Sequence, residues 1–162
     1  MKKNYSDEEF PFRKSRQLVK EFEKMLLTNQ GHFFDQESYE YLIDYYESGF
    51  DFFKVETVVD LALEQYPYSS LFIVKKARLA LDAQKYGDAL DLLNKAQLLS
   101  PTDLEIFVLQ AEAYTNIERY SEALGCLDMA VLYANDTEKA DVYLSIADVY
   151  DSVENEKKAY TF

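Results

Sequence analysis

The sequence of 162 residues is poor in the residue types that make turns, cross-links or metal sites. It has four Gly and three Pro, too few for a turn-dense β-sheet protein, and it has no Trp. Cys126 is the only cysteine, which excludes an intrachain disulfide and a cysteine-based zinc site. No apolar run approaches the roughly 18 residues that a membrane span needs, and no apolar stretch typical of a signal peptide follows Lys2 and Lys3. We therefore expect a cytoplasmic protein with no membrane association.

Basic residues are also scarce outside the N-terminus. The formal net charge is −13, and a surface of this charge repels a phosphate backbone, so we expect no nucleic-acid binding. Met1–Lys24 contains seven Lys/Arg and five Asp/Glu, so the whole acidic excess falls on the remainder of the chain. Apolar residues make up 48% of the sequence, which is enough for a packed core.

The sequence does contain an internal repeat. When Leu71–Pro101 is moved forward by 34 positions it falls on Glu105–Asn135. Each repeat has two stretches with the apolar spacing of a helix: first helices at about 37–48, 70–82 and 104–116, and second helices at about 52–66, 86–99 and 120–133. The identical pairs include Val74/Val108, Ala77/Ala111, Tyr86/Tyr120, Ala89/Ala123, Leu90/Leu124, Leu93/Leu127 and Ala96/Ala130.

The repeats define the domain organisation. Complete units span 36–69, 70–103 and 104–137, and a partial unit spans 138–162. Residues 1–35 do not fit the register, and we expect a polar lead-in up to Pro11 followed by a capping helix from Phe12 to Thr28.

The partial unit has an unusual pattern. Its first helix, predicted at about 140–152, has apolar residues almost all round, which predicts burial on two sides. The chain then stops at Phe162, a few residues into the predicted second helix. We expect that the natural protein is longer or that a second copy covers this end.

Small residues recur at the eighth, twentieth and twenty-seventh places of the unit, as in Ala77, Ala89 and Ala96, where close packing of antiparallel helices requires them. With an aromatic residue at Tyr86 and Tyr120 and a proline at Pro67 and Pro101, this pattern over 36–162 resembles the tetratricopeptide repeat. The resemblance implies an all-α, right-handed solenoid of stacked antiparallel helix pairs, with about three and a half repeats and an N-terminal capping helix.

In that family the first helices line a concave groove that binds peptides or partner helices, so the resemblance implies a protein-interaction scaffold. A family clamp of Lys and Asn grips the carboxylates of chaperone tails. Here Glu40 and Asp44 of the first unit and Val108 and Glu112 of the third lie where its cations should be, and only Lys75 and Arg78 are positive. We therefore expect a protein or peptide partner with a basic or amphipathic segment and no binding of acidic chaperone tails. The positions implied for the groove are Glu40, Tyr41, Asp44, Leu71, Val74, Lys75, Arg78, Val108, Leu109, Glu112, Leu144 and Asp148.

Residues for catalysis are lacking. His32 is the sole histidine, Cys126 lies where a small packing residue is expected, and there is no Ser/His/Asp set or phosphate-cradling glycine loop. We expect no enzymatic activity, no catalytic residue, no metal site and no cofactor.

Three alternative functions remain open. The protein could form a homodimer through residues 140–162 with an idle groove, or the array could position another domain of a larger protein. A related helical-pair family reads RNA one base per unit, but its surfaces are basic, and the charge of −13 disfavours it.

Overall fold

The computed structural model describes residues 9–28 and 31–159, with side chains described over 16–28 and 31–154. Within these ranges the chain forms eight helices and no strand. It divides into two compact units, Met1–Tyr66 and Pro67–Phe162. The helices are α1 (Glu9–Thr28), α2 (Gln36–Ser48), α3 (Phe52–Gln65), α4 (Ser70–Asp82), α5 (Tyr86–Leu99), α6 (Leu104–Asn116), α7 (Tyr120–Tyr133) and α8 (Glu138–Ala159).

The six helices α2–α7 confirm the repeat prediction, because their bounds agree with the predicted ones to within one residue. Successive helices form the pairs α2/α3, α4/α5 and α6/α7. The small residues of the repeat lie in these pairs with at most 2% of their surface exposed, which allows the close approach of the helices. They are Ala62, Ala77, Ala89, Ala96, Ala111, Ala123 and Ala130.

Each first helix ends in the same hydrogen-bonded cap. At the end of α4, the Gln84 N–H donates to the Leu81 carbonyl and the Lys85 N–H to the Ala80 carbonyl, both at 2.8 Å. This pattern places the second residue after each of α2, α4 and α6 in the left-handed region, with φ of 56° at Phe50, 57° at Gln84 and 61° at Glu118. Glycine is favoured at this position, yet none of the three turns has one there.

Replacing Gln84 with glycine is therefore expected to raise the free energy of unfolding by about 0.5–1 kcal/mol, because glycine adopts positive φ without a steric penalty. Urea denaturation followed by circular dichroism measures the change. Ala83→Gly, one residue earlier at φ −82°, is the matched control and is expected to give no gain. Equal stabilisation by both variants would contradict the assignment.

Helix α1 begins earlier than predicted. It starts at Glu9, so the predicted polar lead-in is wrong for residues 9–11, while residues 1–8 of that prediction lie outside the described part of the chain. Pro11 is the third residue of the helix, where a backbone N–H has no intrahelical partner and its loss costs nothing.

Helix α1 packs on the first helix pair through its apolar side. Phe22 is fully buried, with its ring centroid 6.0 Å from that of Phe34 and 6.1 Å from that of Tyr46. On the same side, the Lys54 Nζ lies 2.9 Å from Glu23 Oε1, and this hydrogen bond raises the pKa of the lysine. Helix α1 thus covers apolar surface of the pair α2/α3.

In the second unit, one core joins α6, α7 and α8. Phe107 and Ala111 of α6 pack with Leu127 of α7 and with Val142 and Val149 of α8, all at most 3% exposed. The last helix is therefore held by the same core as the third pair.

Gln110 is a buried polar residue on another side of α6, with 4% of its surface exposed. Its Nε2 donates to Asn94 Oδ1 at 3.0 Å and to Gln97 Oε1 at 3.2 Å, both on α5. Because both amide hydrogens are bonded, the polar side chain is accommodated between α5 and α6.

Helix α8 corrects the prediction for the partial unit. The prediction of a helix at 140–152 followed by a second helix is wrong, because α8 is continuous from Glu138 to Ala159. No glycine or proline interrupts this stretch, so nothing in it ends the helix.

The described residues bury one side of α8, and burial of its other side by further chain or by a second copy stays a prediction. Val142 and Val149 are buried, but Tyr143, Leu144 and Tyr150 are 56–65% exposed. The helix that would cover these three residues does not form among the described residues. None of the described helices combines the length and the apolar character needed to cross a membrane.

Candidate functional site

A cavity of about 270 Å³ lies beside the two first helices α6 and α8. Buried apolar side chains from three helices line it, namely Ala111, Leu127 and Val149. Two exposed carboxylates also line it, Glu112 from α6 and Asp148 from α8. The cavity thus combines an apolar wall with negative charge.

Polar side chains at the end of α6 are held in place beside this cavity. The Thr115 hydroxyl donates to the Ala111 carbonyl at 2.8 Å, and Asn116 Nδ2 donates to the Glu112 carbonyl at 2.9 Å. Asn116 Oδ1 accepts a hydrogen bond of 3.1 Å from the Tyr86 hydroxyl. These bonds fix the position of the amide, so this side of the cavity is ordered before any ligand binds.

The structure brings three of the predicted site residues together. Val108, Glu112 and Asp148 all line the cavity, as does Ser145. Leu144 is exposed but is not part of the lining.

The lining also includes residues that the sequence analysis missed, Leu127, Thr115, Asn116 and Val149. The family rule assigns the groove to first helices alone, and Leu127 belongs to a second helix. No pattern in the sequence marks the other three.

Leu109 is buried, at 3% exposed, so its assignment to an exposed groove is wrong. It lies on the same side of α6 as Ile106 and Ala113, three and four residues away, which are also buried. Gln110 is next to it and bonds to α5, so this side of α6 faces α5.

Val74 is also buried, at 5% exposed, so its assignment to an exposed surface is wrong because it lies on the buried side of α4. It is spaced three and seven residues from the buried Ala77 and Leu81, so the three share one side of α4.

The remaining predicted residues of α4 are accessible to different degrees. Leu71 is 40% exposed and Lys75 is half-buried. Arg78 is exposed and its guanidinium bonds to the Glu105 carboxylate on α6. The positive charge of Arg78 is therefore partly neutralised within the protein.

In the first unit, Glu40 and Asp44 are exposed on α2. Tyr41 lines a separate cavity of about 680 Å³ between α1 and the start of α2. Acidic and aromatic side chains also line that cavity, among them Glu21, Phe33, Asp35 and Glu37.

The chemistry of these residues suits non-covalent binding. No group of three or more His, Cys, Asp or Glu in the described ranges could hold a metal ion. Burial raises the pKa of the Cys126 thiol, which disfavours the thiolate form that a nucleophile requires. An apolar wall next to two carboxylates instead suits a side chain with an aliphatic stem and a cationic end.

The described chain has the fold of tetratricopeptide-repeat domains, which confirms the predicted architecture. No protein-family model matches the sequence, and a sequence comparison with curated proteins finds no match.

Several solved structures share this fold. The TPR2B domain of yeast Sti1, in its complex with pHsp70, is 17% identical and has a TM-score of 0.63, over 74% of this chain and 96% of that chain. The TPR domain of Arabidopsis OM64 is 14% identical with a TM-score of 0.63, over 71% and 93% of the two chains. MamA from Desulfovibrio magneticus RS-1, from residue 41 to its end, is 18% identical with a TM-score of 0.62, over 91% and 90%.

Proposed function

We propose that this protein is a protein-interaction scaffold whose first helices in the unit Pro67–Phe162 bind a basic or amphipathic segment of a partner protein. The observation that carries the proposal is the cavity beside α6 and α8, with Glu112 and Asp148 next to the buried Leu127 and Val149. A lysine or arginine of the partner fits this combination, because its methylene groups contact the apolar wall while its charge meets the carboxylates.

The neighbouring charges favour the same partner. Arg78 bonds to Glu105, so the guanidinium on α4 adds little net positive charge to this surface. The fold supports a binding role in general, since the Sti1 domain with this fold was solved as a complex with pHsp70. The positions of the family's cationic clamp hold Glu40, Asp44, Val108 and Glu112, so we expect no micromolar binding of an acidic chaperone tail.

Isothermal titration calorimetry with a synthetic amphipathic helical peptide of leucine and lysine tests this proposal. We expect binding that weakens with added salt, because partly exposed charges are screened. Glu112→Gln combined with Asp148→Asn is expected to weaken it roughly ten-fold, since each partly exposed ion pair contributes up to about 1 kcal/mol.

The matched control is Asp91→Asn combined with Asp128→Asn, which removes two exposed carboxylates from second helices. This control is expected to leave the dissociation constant within about two-fold. Equal binding of a peptide with glutamate in place of lysine, or equal weakening by the control variant, would contradict the proposal.

The exposed side of α8 favours self-assembly as a second candidate function. Tyr143 and Tyr150 occupy the repeat positions of Phe107 and Tyr114, which pack against the core of α6, α7 and α8. A second copy could cover these tyrosines. Light scattering that shows a dimer, lost in a Tyr143→Glu plus Tyr150→Glu variant, would favour this function, and a monomer at all concentrations would eliminate it.

A further inference from the structure

We infer a second interaction surface, separate from the cavity beside α6 and α8: the aromatic turn formed by Phe50, Phe52 and Phe53, which binds a partner protein presenting apolar side chains flanked by lysine or arginine.

The aromatic turn exposes three phenylalanines within four residues. Phe50 is 80% exposed, Phe52 56% and Phe53 81%. The rings of Phe50 and Phe52 meet edge to face with their centroids 6.4 Å apart, so they form one contiguous apolar patch. Contiguous apolar surface of this kind marks interaction sites on soluble proteins.

The fold does not require phenylalanine at positions 50 and 53, whereas the place of Phe52 is aromatic in all three repeats, with Tyr86 and Tyr120. The other two turns have the same cap and the same positive φ, yet they hold Gln84 and Glu118 in the place of Phe50. In the place of Phe53 they hold Gly87 and Ser121, both exposed. At positions 50 and 53 the aromatic turn therefore differs from its two structural equivalents in side chains that face solvent.

The backbone conformation at position 50 also disfavours a phenylalanine there. Its φ of 56° lies in the left-handed region, which a bulky side chain occupies unfavourably. A residue kept in a strained conformation with 80% of its surface in solvent gains nothing for the fold from its ring. The ring is therefore better explained by contact with another molecule.

The charges around the aromatic turn identify the chemistry of the partner. Nine acidic residues and a single lysine lie between Gly31 and Tyr66. That lysine, Lys54, lies 2.9 Å from Glu23 and 3.7 Å from Asp51, so its charge is already engaged. The described side chains of α1 add Arg16, Lys20 and Lys24 against Glu21 and Glu23, so this unit keeps a large acidic excess. An apolar patch on so acidic a unit is complementary to apolar residues bordered by lysine or arginine.

The same charges argue against two other occupants. A second copy that presents the same aromatic turn would bring an equally acidic surface against this one, which is repulsive. A membrane of anionic lipids would be repelled as well, because its surface potential is negative. A basic partner protein is the occupant that both the apolar and the charged parts of the surface favour.

Photo-crosslinking in extract of the cells of origin tests the inference. The full chain carries Phe53→p-benzoylphenylalanine, and the matched control carries Gly87→p-benzoylphenylalanine at the equivalent position of the second repeat, where an added Cβ atom has no neighbour within 4 Å. We expect at least about a five-fold higher yield at position 53, because few interface residues contribute most of the binding. Mass spectrometry is expected to map the crosslink to a segment with apolar residues next to at least two lysines or arginines.

Two further variants separate this surface from the cavity. Phe50→Gln, which introduces the residue type of the second turn, is expected to lower the yield at position 53 several-fold while circular dichroism shows an unchanged fold. Glu112→Gln combined with Asp148→Asn is expected to leave that yield unchanged, so that failure of the proposed cavity function does not affect this result. Crosslinks to a second copy or to lipid, a yield equal to that at position 87, or loss of the crosslink in the cavity variant would each overturn the inference.

Discussion

Leu109→Glu is expected to lower the free energy of unfolding by about 3–5 kcal/mol, because it places an unpaired carboxylate in a buried apolar position. Leu109 is 3% exposed and shares its side of α6 with the buried Ile106 and Ala113. The amide hydrogens of the neighbouring Gln110 are already bonded to α5. Urea denaturation monitored by circular dichroism measures the loss.

Glu112→Lys is the matched control, because it lies one turn further along α6 but is exposed. A surface substitution of this kind is expected to change the free energy of unfolding by no more than about 0.5 kcal/mol. If Leu109→Glu costs less than about 1 kcal/mol, the assignment of Leu109 to the buried side of α6 is wrong.

Phe22→Ala is expected to destabilise the protein by about 3–5 kcal/mol, the range observed when a fully buried phenylalanine is truncated. Phe22 is the largest buried side chain among the described residues 16–28 of α1, and its ring lies about 6 Å from those of Phe34 and Tyr46. Its removal leaves a cavity between α1 and the pair α2/α3. The loss of helical signal in urea, together with proteolysis of the N-terminal region, reports the release of α1.

Leu27→Ala provides the comparison on the same helix. Leu27 is 87% exposed, so its truncation is expected to change the free energy of unfolding by no more than about 0.5 kcal/mol. Similar effects of the two variants would show that α1 does not dock through Phe22.

The repeat made the helix pairs predictable because its information is redundant. A 34-residue period repeated three times fixes each boundary several times over, and the alanines at equal places identify where helices must approach. Helix α8 lacked this redundancy, since among the described residues no second helix pairs with it in register. The continuous helix formed because its sequence holds no residue that ends a helix.

The candidate site was predictable only in part, because each residue along a helix turns the side chain by about 100°. Val108, Leu109 and Glu112 are close in sequence but differ in environment. Val108 is half-buried beside the cavity, Leu109 is buried on the side of α6 that faces α5, and Glu112 is exposed at the cavity. A family rule stated for whole positions cannot resolve that rotation when a residue such as Gln110 bonds to the neighbouring pair. The exposure of the phenylalanines in the aromatic turn could not be predicted, because an apolar residue in a repeat is expected to belong to the core.

The amide of Gln110 has a consequence for how the helix pairs find their alignment. Its hydrogens reach Asn94 and Gln97 only in the observed position of α6 along α5. A shift by one helical turn would bury the amide without acceptors, and an unmet buried donor costs about 1–3 kcal/mol. Apolar surfaces alone do not fix the position of one helix along another. The Gln110 side chain therefore favours the observed register of α6 against α5 over shifted ones.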